Sequence, residues 1–181
     1  MRPGQYCLNI VVRDVNGDRV GTWRSGVQVP EYKEGEMANS SLILADKMGP
    51  ASQENTPGTG HFLVGTTYIR PVVIRSEGLP IGFRRDQNIN VWMQVYGLAV
   101  DEKSNRSSIT IEYEFEAAAG HKSVIHIMES TDRLGTLGDQ ITLKKTLPAA
   151  NLQRGAYKLR VKVHDNISRQ VFERSTTFTV E

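Results

Sequence analysis

Between residues 157 and 164 the chain alternates strictly. Tyr157, Leu159, Val161 and Val163 are apolar, and Lys158, Arg160, Lys162 and His164 fall between them. Period-two alternation puts one set on one face of an extended strand and the other set on the opposite face. A polar turn, residues 165–168, follows, and a second strand is predicted from about residue 169 to 181. Just ahead of the first strand, Leu152-x-x-Gly155-x-Tyr157 has the form of a tyrosine corner. In that arrangement a Tyr near the start of strand F bonds back to upstream backbone in an immunoglobulin-like sandwich. Residues 152–180 therefore read as strands F and G of such a domain.

The same pattern opens the chain. Residues 2–14, RPGQYCLNIVVRD, align without a gap on residues 153–165 at a constant offset of 151. Gly4, Tyr6, Leu8, Val12, Asp14, Val20 and Val29 are identical to Gly155, Tyr157, Leu159, Val163, Asp165, Val171 and Val180. Ordinary composition gives roughly two identities by chance over such a length. The matches also fall on inward-facing or turn positions, so this is an internal repeat. Asn16-Gly17 supplies a hairpin turn between the two strands of the first copy.

The intervening pattern is also that of strands. Residues 40–46 form a short apolar run with polar borders, a first strand of the second domain. Residues 47–60, rich in Gly, Pro and small polar residues, read as a flexible excursion. Residues 61–65 and 67–74 look like one strand broken at Pro71, and residues 78–86 like a turn. Residues 88–100 give the strongest central strand, with Ile89, Val91, Met93 and Val95 inward and Trp92 and Tyr96 on the other face. Ile109, Ile111, Tyr113 and Phe115 alternate with Thr110, Glu112, Glu114 and Glu116, a half-buried strand with an acidic outer face. Further strands are expected at 123–129 and 140–147, separated by a loop at 131–138. Seven to nine short strands and no convincing helix predict an all-β, immunoglobulin/fibronectin-III-like sandwich.

The expected organisation is a leading pair of strands over residues 1–30, a linker over 31–39 and a sandwich domain over 40–181. The leading pair lacks strands A to E, so the expectation is that residues 1–30 close a similar domain whose front is missing from this chain. Tyr6, Leu8, Ile10 and Val12 then have no sheet opposite, which forgoes on the order of 6–12 kcal/mol of burial. A two-stranded hairpin alone is marginal. It is expected to dock on the second domain, to self-associate through residues 3–29, or to be poorly ordered.

Composition narrows the classes. A net charge of +2 argues against a large basic surface for nucleic acid despite a pI near 8.7. No apolar run approaches the length needed to span a bilayer. No leader is visible at Met1, which on a truncated chain says nothing about export. Cys7 is the single cysteine, so the intrachain disulfide of antibody domains is excluded. It lies on the polar register of its strand with no base near it in sequence, the pattern of an inert surface thiol rather than a nucleophile.

Three segments in order, Ser40-Ser41-Leu42-Ile43-Leu44-Ala45-Asp46, Val91-Trp92-Met93-Gln94-Val95-Tyr96 and Leu147-Pro148 through Leu152-x-x-Gly155-x-Tyr157, resemble the C-terminal region of bacterial GWxTD-domain proteins. They are similar, too, to tails of related bacterial proteins with a von Willebrand factor A-type domain. The Gly-Trp-x-Thr-Asp motif itself is absent, and Trp23 in Gly21-Thr22-Trp23-Arg24 does not fit it. The resemblance implies an exported or cell-envelope protein with Ig-like modules behind another domain. The residues themselves leave a cytoplasmic location open.

Chemical signatures are few. His121 and His126 have a spacing found in zinc sites, but one sits in a turn and no Cys partner exists. Glu112, Glu114 and Glu116 read as a solvated sheet face rather than paired catalytic acids. No phosphate loop or nucleophile elbow is present, and Gly58-Thr59-Gly60 is too short for one. No catalytic, metal or cofactor-binding residue is assigned, and no enzyme activity is expected. Lys158, Arg160, Lys162 and His164, with Arg13 nearby in the first hairpin, are expected to form a basic stripe opposite the acidic strands, either a binding surface or a solubilising face. Trp92 and Tyr96 are a candidate ligand platform of the kind glycan-binding sandwiches use, unless a sheet or loop covers them. The expected role is an interaction or spacer module acting on a protein partner or a missing N-terminal domain; the alternative is a glycan- or other ligand-binding sandwich.

Overall fold

The computed structural model describes residues 1–51, 62–72, 80–131 and 138–181. The described residues are strands joined by turns, with a 3-10 turn at Ala149–Asn151. They form two compact units, Met1–Glu34 and Gly35–Glu181.

The second unit is an all-β, immunoglobulin-like sandwich. One sheet holds, in order, β10 (Lys122–Ser130), β9 (Ile109–Ala117), β12 (Gly155–Asp165), β13 (Val171–Val180) and β7 (Ile81–Phe83). The other holds β11 (Ile141–Pro148), β8 (Asn88–Tyr96), β4 (Ile43–Pro50), β6 (Thr67–Pro71) and β5 (Phe62–Val64), with the short β3 (Ala38–Asn39) also on β8. The pairs are antiparallel except β7 with β13, which is parallel. Inward residues of both sheets make one core. Ile89, Val91, Met93 and Val95 from β8 meet Ile111, Tyr113 and Phe115 from β9 and Leu159, Val161 and Val163 from β12. Phe178 of β13 stacks on Tyr157 at 5.5 Å and sits edge-on to Phe83 and Phe115. The alternation read along residues 89–95, 109–115 and 157–163 is thus the inside–outside alternation of the sandwich.

Several boundaries differ from the sequence expectation. The first strand runs on through Pro50 because residues 47–50 pair with β6; residues 52–60 of the expected excursion lie outside the described residues. The segment expected as one broken strand is a hairpin, β5 turning at Gly65 into β6, with Pro71 its last residue. His61 and residues 73–74 lie outside the described residues, as do 132–137 of the expected loop. Within the segment read as a turn, Ile81–Phe83 is a strand. It lies beside β13, with Phe83 fully buried.

The first unit is a hairpin of β1 (Gly4–Asp14) and β2 (Arg19–Val29). Its identity with β12–β13 extends to atoms. Gly4 pairs with Val29 as Gly155 pairs with Val180, and Arg13 with Val20 as His164 with Val171. Tyr6 Oη donates to the Arg2 carbonyl at 2.8 Å, and Tyr157 Oη to the Gln153 carbonyl at 2.8 Å. Both corners are led in by a glycine at strongly positive φ, Gly4 at +150° and Gly155 at +149°, which glycine reaches without a Cβ penalty. Asp14 Oδ1 accepts from the amides of Asn16 and Gly17, and Asp165 Oδ1 from those of Ile167 and Ser168. Asp18 and Arg169 close the two turns in the left-handed region.

What differs is cover. Tyr157, Leu159, Val161 and Val163 are 5% exposed or less, whereas Tyr6, Leu8, Ile10 and Val12 are 37% to 64% exposed. The same motif is a core element in one place and a solvent-facing ribbon in the other. Replacing Tyr157 by Phe removes the buried corner bond and is expected to cost about 1 kcal/mol. Tyr6→Phe is expected to leave the melting of the second unit unmoved, and urea unfolding of the two variants checks both.

Candidate functional site

A set of compensating charged side chains lies on the outer face of the β10-β9-β12 sheet. Antiparallel pairing sets Lys158 against Glu116, Arg160 against Glu114 and Lys162 against Glu112. Arg160 donates to Glu116 at 2.9 Å and pairs with Glu114 at 2.9 Å. His164 Nε2 lies 3.0 Å from Glu112, and His126 of β10 approaches the same carboxylate at 3.6 Å. His121 Nδ1 contacts Glu116 at 2.9 Å. That hydrogen bond, working against desolvation and aided by the charges of Arg160 and Lys158, holds the Glu116 carboxyl below its usual range.

This corrects the expected placement of the basic stripe. It lies beside the acidic strand, on the same sheet face, and the two stripes compensate each other as cross-strand pairs do. His164 is half-buried against Glu112. Arg13 belongs to the first unit and pairs with Asp18 at 2.7 Å. Among the described residues no three His, Cys, Asp or Glu side chains are close enough to hold a metal ion. His121 and His126 each meet a different glutamate.

The aromatic pair is placed unequally. Trp92 is 3% exposed, packed in a small second cluster with Ala45 and Ile69 and flanked by Ile43, Met48 and Val64. The strands β4, β6 and β5 wrap that face, which explains why an outward Trp is covered. Tyr96 is half-buried, and its hydroxyl donates to Gln94 Oε1 at 2.6 Å. Cys7 is exposed, with Arg24 Nε 2.9 Å from its sulfur. Gly58-Thr59-Gly60 lies outside the described residues.

Two features were not foreseen from the sequence. At the open side of the sandwich Lys145 of β11 meets Glu129 of β10 at 2.5 Å, so an ion pair joins the edges of the two sheets. The Lys145 ammonium also lies 6.0 Å from the centroid of the Tyr113 ring. Burial, and secondly the Glu129 carboxylate, push the Tyr113 hydroxyl well above the ordinary phenol range. With both partners partly exposed, Lys145→Ala is expected to cost about 1 kcal/mol, read as a drop in the urea midpoint that Lys144→Ala does not show.

The second feature is the β10 edge. It ends its sheet, and among the described residues no strand pairs with its outer side. Val124 and Met128 are 44% and 61% exposed there. Among the described residues no helix is long and apolar enough to cross a membrane.

Neither a protein-family model nor a curated protein matches the sequence. Among solved structures, the crystal structure of a β-glucosidase from Listeria innocua in complex with glucose aligns at 12% identity and a TM-score of 0.32. The alignment covers 57% of this chain and 15% of that one, and a likeness so distant carries no statement about activity.

Proposed function

We infer that this chain is a non-catalytic interaction or spacer module of a larger, exported bacterial protein, holding loops and a strand edge out to a protein partner. The observation that carries the reading is the β10 edge. After an irregularity between Ser123 and Ile125, its register on β9 is regular, and among the described residues no strand pairs with its outer side over residues 125–129. An unpaired edge flanked by apolar side chains is a template on which an extended segment adds as a further strand. The sheet face beside it offers less, because its charges are compensated side by side. Resemblance of residues 40–46, 91–96 and 147–157 to the C-terminal region of GWxTD-domain proteins supports the envelope placement. A glycan-binding reading relies on Trp92, Tyr96 and residues 47–60; Trp92 is 3% exposed, Tyr96 is half-buried, and residues 52–60 lie outside the described residues.

The test places a photoreactive side chain at position 124 and crosslinks in envelope extracts. A discrete adduct that disappears in Met128→Lys, and persists in Lys158→Ala, is the expected result. Turnover of a substrate by the second unit, or adducts indifferent to Met128→Lys, would overturn it.

A further inference from the structure

We propose that β1–β2 is the closing strand pair of a first immunoglobulin-like sandwich, and that its apolar face is covered by a segment of the same polypeptide lying ahead of residue 1. The occupant is identified by the second copy of the motif. At the constant offset of 151, strand register, tyrosine corner, aspartate-capped turn and left-handed turn residue all coincide. In the second copy this hairpin has three neighbours: β9 antiparallel along β12, β7 parallel along β13, and the facing sheet of β8, β4 and β11 over the apolar face. Among the described residues the first copy, with the same register and the same inward pattern, has none of these three neighbours. Tyr6, Leu8, Ile10 and Val12 fill the places of Tyr157, Leu159, Val161 and Val163, and Trp23 and Val27 are the apolar residues opposite Ile10 and Tyr6.

The outer face says which strand cannot fill the β9 vacancy. Where β12 carries Lys158, Arg160 and Lys162 against Glu116, Glu114 and Glu112, β1 carries Cys7, Asn9 and Val11 at the equivalent positions. A second copy of this chain that lent its own β9 would set Glu116, Glu114 and Glu112 against Cys7, Asn9 and Val11 and lose both ion pairs of Arg160, keeping a cation only at Arg13, in the place of His164. The strand that suits β1 has an apolar inner face and an uncharged outer one, as a dedicated first-domain strand would. About a hundred residues make a sandwich of this kind, which sets the length of the segment.

This deepens the modular reading given above and rests on it only for the chain's being one module among several. Catalysis or glycan binding by residues 35–181 would sink that reading and leave the present one standing. The test compares the 181-residue chain with the polypeptide extended by the natural coding sequence upstream of residue 1, using amide exchange and light scattering. In the 181-residue chain residues 4–29 are expected to exchange rapidly in a monomer. In the extended polypeptide their exchange slows by about 100-fold or more, as hydrogen bonds enter a cooperative core. Leu8→Asp reverses that protection and Val11→Asp does not, because position 8 faces inward and position 11 outward. Should Leu8→Asp prevent folding of the extended polypeptide, the wild-type exchange comparison still decides. Protection of residues 4–29 in the 181-residue monomer or in a dimer of it would overturn the proposal. So would an extended polypeptide in which they stay unprotected, or upstream sequence without an open frame.

Discussion

Leu159→Ala is expected to cost the second unit about 2–5 kcal/mol, while Leu8→Ala, the same substitution 151 residues earlier, changes stability by about 0.5 kcal/mol or less. Leu159 is fully buried between the sheets, so truncation removes buried methyl groups and leaves a cavity that surrounding side chains close only in part. Leu8 is 45% exposed, and the removed atoms leave no enclosed space. The two leucines share a strand position, a register and a neighbouring tyrosine corner. Local sequence is therefore held nearly constant and burial alone varies. Denaturant unfolding of each variant, followed by far-ultraviolet circular dichroism, gives the two numbers.

The second large effect is expected at Asp165, which is 1% exposed. Its Oδ2 accepts from the Ala99 amide at 2.8 Å, and its Oδ1 from the amides of Ile167 and Ser168 at 2.9 and 3.1 Å. One carboxylate thus ties the turn after β12 to the segment leaving β8. Burial pushes its pKa up, but the donors, led by the Ala99 amide, outweigh burial and hold the carboxyl below its ordinary range. Asp165→Ala strands buried donors and is expected to cost about 3 kcal/mol, or roughly 6–12 °C of melting temperature for a unit of this size. Because the folded-state pKa is lowered, the stabilisation is complete above the unfolded value near 3.9. It drains away as pH falls from there through the folded value. The wild type should therefore lose stability below about pH 4 more steeply than Asp165→Asn. Asp14→Ala, at the exposed equivalent, should leave the main transition in place.

What was legible in the sequence is what depends on near neighbours. Period-two alternation at residues 89–95, 109–115 and 157–163 is a local consequence of strand geometry, and the offset of 151 needs only the chain laid against itself. The corner and the turn aspartate were readable for the same reason, since their bonds span four residues or fewer. Features set by distant pairing were not readable. Ile81-Gly82-Phe83 is too short to show a period, and only its parallel contact with β13 makes it a strand. Met48-Gly49-Pro50 has the composition of a loop and is held extended by β6. The acidic and basic stripes were each visible, but chain order does not reveal that β9 and β12 are neighbours, so their mutual compensation was missed. Lys145 and Glu129 lie in different sheets, and nothing in their local sequence joins them.

The most direct measurement is residue-resolved amide exchange on the intact 181-residue chain, reading Leu8 against Leu159 and Ile10 against Val161. Leu159 and Val161 should exchange only through global unfolding of the second unit, and Leu8 and Ile10 far faster, through local opening of an uncovered ribbon. Equal protection at the paired positions would contradict the claim that one hairpin motif occurs twice in this chain and, among the described residues, has an opposite sheet only in its second copy.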